Sequence, residues 1–383
     1  MSTPDSFSPT QDAFVSAYMS ERRGQDKPLD RLVTTPCGLA PGEMMSVLAH
    51  PGLEDRGLEV MADFMQPEDS MYFDAIYGAE YGQKAIRGWL LPTMAQISFI
   101  EFRPQRETVV FDTEAGTMII DEWQMVATLD GNEIPLAPGI SIRRFENGWI
   151  TWVADVYDTV AMRTPPPVDM PLPEGMPEPA PLPDYPEMNW PTVELPSAAP
   201  LSSAAQTWVD ARLEAHEREA APALDEPSGL SAEDLHAIHN HPTYGRNWHL
   251  VADLMHPTES VYIDPIFGRF EGQPAIRSWL TDVMGKIGDI DFEPISEIHW
   301  NGQTSLQLWK QVARTPDGKG QEMSWGASVR EFKDGWLVYS ADYFDAASLQ
   351  KPEVQAAGQA AGSTIAAEDI IRYRPELAAL QPG

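Results

Sequence analysis

The sequence predicts an α+β fold made twice: two tandem domains, each with N-terminal helices packed on a strongly curved antiparallel sheet, joined by a proline-rich linker. Three observations predict it. The segment MYFDAIYGAEYGQKAIRGWL (71–90) returns as VYIDPIFGRFEGQPAIRSWL (261–280) at a constant offset of 190 residues, and SIRRFENGWITWVADVYD (141–158) returns as SVREFKDGWLVYSADYFD (328–345) at an offset of 187. In both copies helical stretches come first and strand-like runs follow. Between the copies, 13 of the 35 prolines crowd into residues 165–200, a density that forbids a helix interior or a paired strand and favours extended chain. The period is far too long for a solenoid, so this is a duplicated domain. The expected division is a first domain over 1–163, a linker strap over 164–200, a second domain over 201–350 and a tail with a short helix over 351–383.

The elements follow in the same order in each copy. A helix over 9–23 or 202–220 is started by Ser8-Pro9 or by Ser202-Ser203. Two short helices come next, over 43–50 and 54–66, and over 231–240 and 246–256. A short strand ends at Asp74 or Asp264, and after a Gly-containing turn a helix carries AIRGWL or AIRSWL. Three or four strands close the copy. The last two form a hairpin around Asn147-Gly148 or Asp334-Gly335, residues that supply the positive φ of a type I′ turn. Pairing straight across the first turn sets Phe145 opposite Ile150, Arg143 opposite Trp152 and Ile142 opposite Val153. Alternation then places Ile140, Ile142, Trp149, Val153 and Asp155 on one face, and Phe145, Ile150, Trp152 and Ala154 on the other. Both faces are apolar, so helices cover one and a second sheet covers the other. The sister copy is the expected supplier, making an intramolecular pseudo-dimer; a homo-oligomer contact is the alternative. Leu172, Met176, Tyr185 and Trp190 suggest that parts of the strap lie on protein.

Composition narrows the function. Hydrophobic residues make up 43% and charged residues 22%, ordinary for a soluble globular protein, which excludes long disorder. With 26 Lys+Arg against 58 Asp+Glu the formal charge is −32, so nucleic acid and anionic membranes are excluded as partners. The expected partner is a small hydrophobic or aromatic substrate. Cys37 is the single cysteine, which leaves no intrachain disulfide and no Cys-rich metal site. The start MSTPDSFSPTQDAF lacks the basic and apolar regions of a signal peptide, and no window holds about 18 consecutive apolar residues. A cytoplasmic location is expected.

The motif G-x-x-A-I-R-x-W-L and the closing G-x-[IL]-x₄-D-x-[YF]-D, set on a helical lid over a bent sheet, resemble the nuclear-transport-factor-2-like superfamily, whose domains are cones. Within it, the pattern is most similar to SnoaL-like polyketide cyclases and limonene epoxide hydrolases. The resemblance covers about 40–160 and 230–347. It implies that Tyr72 and Asp74 stand where the epoxide hydrolases hold their attacking water, and Asp155 where they activate it; Tyr262, Asp264 and Asp342 repeat the set. The family's Arg-x-Asp is replaced by Asp121 and Trp123 in TMIIDEWQMV, and by Leu308 and Lys310 in the second copy. The epoxide-opening acid and its arginine are therefore absent. The resemblance further implies a catalytic His299, on the third-strand run ISEIHW, with Asp253 as its carboxylate partner.

Tyr72, Asp74, Asp121 and Asp155 are expected to converge inside the first cone. Several carboxyls in one apolar cavity cannot all stay ionised, which gives a neutral acid beside an ionised base. The alternative is structural: Asp74 caps the next turn and Asp155 fixes a loop. Trp123 and Trp149 are expected to face this cavity and to receive a flat aromatic ligand. Substrate contacts in the second copy are expected from Tyr262, Asp264 and Lys310, with Asp342 and His299 as catalytic groups. His236, His239 and His241 have a metal-ligand spacing, but their place at a helix end before Pro242 suits a cap, and no metal or other cofactor is expected. Arg87, Arg277, Arg143 and Arg330 are read as ion pairs between the copies, the last two on the face away from Asp155.

The function expected from these residues is a cofactor-independent lyase or dehydratase that acts by acid–base elimination on a bulky hydroxylated aromatic compound. The diarylpropane lyases of lignin-degrading bacteria share the superfamily and imply a diarylpropane-diol substrate. The alternatives are an epoxide hydrolase or isomerase using the same carboxylates, and a non-catalytic scaffold.

Overall fold

The computed structural model describes residues 7–22, 24, 29, 31–97, 100–114, 116–129, 131–160, 200–218, 224–316, 318 and 320–374. The chain divides into two compact units, Met1–Met188 and Asn189–Gly383. Residues 161–199, which take in the expected strap up to its last residue and with it Leu172, Met176, Tyr185 and Trp190, lie outside the described residues.

The N-terminal unit opens with α1 (Pro9–Arg22), α2 (Pro41–Leu48) and α3 (Gly57–Phe64). Ser8 starts α1 reciprocally with Gln11: its hydroxyl accepts from the Gln11 amide at 3.2 Å, and its own amide donates to the Gln11 side chain. Strands β1 (Met71–Asp74) and β2 (Gly78–Tyr81) lead to α4 (Gln83–Gln96), followed by β3 (Ile100–Pro104), β4 (Val109–Thr113), β5 (Gly116–Leu129), β6 (Asn132–Glu146) and β7 (Trp149–Tyr157). The sheet runs β2-β1-β7-β6-β5-β3, with β4 also on β5. All its pairs are antiparallel except β1, which lies parallel to β7.

Helix α4 shows why its motif recurs. Ile86 and Leu90, one turn apart, enter a core with Val60, Phe64, Tyr72, Ile119, Phe145, Ile150 and Val153. Gln83 and Arg87, spaced the same way, are fully buried beside them. Gln83 Nε2 donates to the Met65 carbonyl at 2.7 Å and Arg87 pairs with Asp63. The repeated G-Q-x-A-I-R is therefore a docking device that locks α4 onto α3.

The C-terminal unit repeats the plan with α5 (Ser203–Glu217), α6 (Ala232–His239), α7 (Trp248–Leu254), β8 (Val261–Asp264), β9 (Gly268–Glu271), α8 (Gln273–Asp282), β10 (Ile290–Pro294), β11 (His299–Trp300), β12 (Thr304–Arg314), β13 (Gly320–Lys333) and β14 (Trp336–Phe344). Its sheet has the same order, β9-β8-β14-β13-β12-β10, again with one parallel pair, β8 on β14. Gln273 repeats the bond of Gln83, onto Met255. The tail adds two helices, α9 (Pro352–Ala360) and α10 (Ala367–Tyr373), rather than one. Tyr373 packs its ring 5.5 Å from Phe270, and the Asp289 amide donates to the Ala361 carbonyl at 2.7 Å.

Both hairpin turns have the expected residues at positive φ: 51° and 78° at Asn147-Gly148, 50° and 80° at Asp334-Gly335. The register beyond the turn differs from the expected one. Phe145 does face Ile150, but a bulge follows, so Arg144 pairs with Trp152, Arg143 with Val153 and Ile142 with Ala154. A slip of one residue turns every later side chain to the other face. Arg143 and Ser141 therefore share the face of Asp155, and Ile142 leaves it.

Candidate functional site

Three rungs cross the helix-covered side of the first sheet. The middle one runs Asp121–Ser141–Asp155–Asp74 over β5, β6, β7 and β1. On one side of it lies Ile119–Arg143–Val153–Tyr72, and on the other Trp123–Gly139–Tyr157. Directly paired residues share a face, so Tyr72, Asp74, Asp121, Trp123 and Asp155 come together. Gly139 is required here: a Cβ on it would lie 2.3 Å from the Trp123 ring, which crosses the backbone at that point.

Hydrogen bonds then assign each carboxyl a different state. Asp155 Oδ2 accepts from Tyr72 Oη at 2.6 Å and Oδ1 from Ser141 Oγ at 2.5 Å, while Trp123 Nε1 donates to that serine oxygen at 2.9 Å. Burial pushes Asp155 up from the ordinary range; Arg143, Ser141 and Tyr72 oppose the rise. Asp74 sits one strand away. Burial first, and then the charge of Asp155, push its carboxyl up to about 7, against bonds from the Ile76 and Tyr77 amides and from Tyr157. Those bonds fix Oδ1 at 2.8 and 3.1 Å from the two amides, and Tyr157 Oη stands 3.1 Å from both carboxyl oxygens. Asp74 does cap the following turn, as the structural alternative has it, yet remains coupled to Asp155. Asp121 is different. Its oxygens are taken by Arg143 Nη1 at 2.7 Å and Thr108 Oγ1 at 2.6 Å, so it holds the guanidinium that faces Asp155. Burial raises the Tyr72 and Tyr157 phenols well above their ordinary value, with Asp155 adding to Tyr72 and Asp74 to Tyr157.

An aromatic wall surrounds these groups. Trp89 lies 5.2 Å from Tyr72 and 5.8 Å from Tyr77, and Trp123 lies 5.6 Å from Tyr157. Trp149 does not join them. Because of the bulge, Ile150 turns inward and Trp149, paired with Glu146, turns out.

The C-terminal unit keeps part of the set. Tyr262 Oη donates to Asp342 Oδ2 at 2.6 Å, Ser328 bonds Oδ1, and Trp309 Nε1 donates to Ser328 at 2.7 Å. Asp264 is buried and caps its turn through the Ile266 and Phe267 amides. The partner of Ser328 on β12 is Gln307, and Trp309 pairs with Gly326, so the counterparts of Asp121 and Trp123 are Gln307 and Trp309, not Leu308 and Lys310. Lys310 falls on the opposite face, 3.5 Å from Glu293. His299 is likewise out of phase: it pairs with Leu306, on the face away from Ser328 and Asp342, while its neighbour Trp300 turns inward. Asp253 meets Arg212 and His216 at 2.7 Å and Arg277 at 2.5 Å; it is not set beside His299. In each case a side chain placed one residue out of register changes face.

The four arginines also need correction. Each pairs inside its own unit: Arg87 with Asp63, Arg277 with Asp253, Arg143 with Asp121, and Arg330 with Asp342 at 3.8 Å. The three histidines diverge as well. His236 stacks on Trp300, His239 accepts from Arg330 Nε, and His241 Nδ1 caps the Thr243 amide. No group of His, Cys, Asp and Glu among the described residues is arranged to hold a metal ion, and no described helix is long and apolar enough to cross a membrane.

Ser141, Tyr157 and Trp89 are the residues that sequence reasoning missed, and Arg143 is one it set on the wrong face. Tyr157 was within reach, two residues beyond Asp155 on the same strand. The others needed the bulge and the helix packing.

The titration of Asp74 has a measurable consequence. A free aspartate titrates near 4. The folded chain therefore keeps this proton between about pH 4 and 7 while the unfolded chain releases it, so stability falls as pH rises through that window, by up to on the order of 4 kcal/mol. Asp74→Asn stays neutral. It is expected to melt with the wild type at pH 4 and above it at pH 8. Equal melting temperatures at both pH values would refute this. Asp155 shifts in the same direction, so the variant's profile is expected to flatten only in part.

Residues 243–340 match the model of the SnoaL-like domain. Solved structures are similar at low identity. A nuclear-transport-factor-2-like protein of unknown function from Cytophaga hutchinsonii is 13% identical, covering 31% of this chain and 95% of its own, with a TM-score of 0.24. A protein of ketosteroid isomerase-like fold from Catenulispora acidiphila, in complex with trimethylamine, is 18% identical over 33% of this chain and 92% of its own, TM-score 0.26. A steroid Δ-isomerase from Pseudomonas aeruginosa is 15% identical over 47% of this chain and 98% of its own, TM-score 0.23. No curated protein sequence matches the chain.

Proposed function

We propose that the N-terminal unit is a cofactor-independent acid–base catalyst, a lyase or dehydratase acting on a bulky hydroxylated aromatic molecule. The observation that carries this reading is the pairing of Asp74 with Asp155 in one rung, where Asp74 is pushed up to about 7 and Asp155 is held by two hydroxyl donors. A buried carboxyl pair with one proton supplies an acid and a base together near neutral pH.

In the proposed elimination, ionised Asp155 takes a proton from the carbon beside the departing group. The C–H electron pair becomes the new π bond. The C–O pair leaves with the oxygen, which takes the proton of neutral Asp74 and departs as water. Asp155 then holds the proton and Asp74 the charge, and one proton transfer through the pair or solvent resets the site. Trp89, Tyr77, Trp123 and Tyr157 supply flat walls for an aryl ring, and an electron-rich ring beside the reacting carbon spreads the developing charge. The diarylpropane-diol class meets these requirements.

The test is turnover of hydroxylated diaryl compounds in ¹⁸O-labelled water, followed by mass spectrometry. Elimination is expected: a product lighter by one water, with no label. Uptake of ¹⁸O would establish hydrolysis instead. Unchanged mass with hydrogen exchange would establish isomerisation, and ligand binding without turnover would reduce the unit to a binding module.

A further inference from the structure

We propose that the C-terminal unit holds a second binding site, of different chemistry, for a small organic carboxylate whose oxygens are received by Arg330, His239, Ser305 and Ser340. The argument begins with one rung. In the C-terminal sheet Ser305, Arg330, Ser340 and Tyr262 pair in sequence across β12, β13, β14 and β8. The same rung in the N-terminal sheet is Ile119, Arg143, Val153 and Tyr72. The fold at this position thus accepts plain apolar packing in one unit and carries two hydroxyls in the other.

Those hydroxyls are costly as they stand. Ser305 and Ser340 are 1% and 0% exposed, and their Oγ atoms have no hydrogen-bond partner among the described residues. Arg330 Nη1, His239 Nδ1 and His236 Nε2 are buried in the same condition. A buried polar atom left unpaired has lost its bonds to water and gained none in return. Several converging around one arginine point to something that satisfies them.

The donors also state what that is. Arg330 Nε donates to His239 Nε2 at 3.2 Å, so that ring nitrogen is the acceptor and the hydrogen of the neutral imidazole sits on Nδ1. Burial and the Arg330 charge keep His239 well below its ordinary value, so the imidazole stays neutral. Nδ1–H, Nη1–H and two hydroxyls all donate, and their complement is a group rich in acceptor oxygens. The carboxylate that binds the matching arginine in the other unit is missing: Asp121 becomes Gln307, and Asp342 stands 3.8 Å from Arg330 where Asp121 stands 2.7 Å from Arg143. Phe344, which has no hydroxyl, stands where Tyr157 bonds Asp74 in the other unit. A ligand carboxylate gives Arg330 the close negative partner that Asp121 gives Arg143.

The decisive variant carries the other unit's residues, Ser305→Ile with Ser340→Val. Calorimetric titration of the full chain with benzoate and cinnamate, and with benzamide as the neutral counterpart, reads the site. Wild type is expected to bind a carboxylate. The double variant is expected to bind it at least tenfold more weakly while melting at the same temperature or higher, since two unpaired hydroxyls have been removed. Asp155→Asn is expected to leave this binding unchanged, which separates the site from the proposed reaction in the N-terminal unit. Stronger binding of benzamide than of benzoate, no carboxylate binding by wild type, or equal affinity in the double variant would each overturn the proposal.

Discussion

Asp155→Asn is expected to lower kcat by about two to four powers of ten on any substrate the wild type turns over, the range general acid–base catalysis supplies, while the melting temperature changes by only a few degrees. The two outcomes separate because of what surrounds the carboxyl. Asparagine keeps the shape and one acceptor oxygen, which still receives Tyr72 or Ser141. The other hydroxyl can turn to accept from the new amide, and Trp123 still holds Ser141 in place. Arg143 loses nothing essential, since Asp121 pairs with it at 2.7 Å. What disappears is the base and the charge that helps to keep Asp74 protonated. Kinetics and thermal melts on the same preparation check this. Full activity would end the acid–base reading, and a large fall in melting temperature would give Asp155 a structural role.

The largest stability loss is expected from Arg87→Met. Arg87 is fully buried and its partner Asp63 is 6% exposed. Asp63 is also approached by Tyr18 Oη at 3.0 Å, Arg31 at 3.3 Å and Arg22 at 3.9 Å, yet burial still outweighs them and raises its carboxyl. Removing Arg87 leaves Asp63 only the longer pairs to Arg31 and Arg22, so the loss is expected to approach the cost of a broken buried pair, about 3–5 kcal/mol. Denaturant titration of Arg87→Met against the double variant Arg87→Met with Asp63→Asn is expected to show recovery in the double. Arg277→Met is expected to cost less, because Arg277 is 21% exposed and Asp253 keeps Arg212 and His216 at 2.7 Å. Equal losses at the two positions would show that burial does not govern these pairs.

The repeat, the element order and the hairpin turns were legible because they rest on local chemistry. Asn147-Gly148 and Asp334-Gly335 dictate their turns through backbone sterics alone, and Ser8 and Ser202 cap helices through neighbouring amides. Tyr72, Asp74 and Asp155 were legible as a group because each lies in a repeated motif on a strand, where alternation sets the face. Arg143, Trp149, Lys310 and His299 were misplaced for one shared reason. Strand faces alternate with a period of two, so one bulged residue or one residue of misalignment inverts the prediction completely.

The amino-acid order alone thus specified a doubled helix-then-sheet plan and an acidic row in its first half, since turns, caps and alternation act over a few neighbouring residues. Only the folded chain decided which face Arg143 and Ser141 take, which carboxyl is occupied by an arginine and which keeps a proton. Those outcomes depend on a bulge and on desolvation by residues up to 83 positions distant, as in the bond from Tyr72 to Asp155, and no short window of sequence contains them.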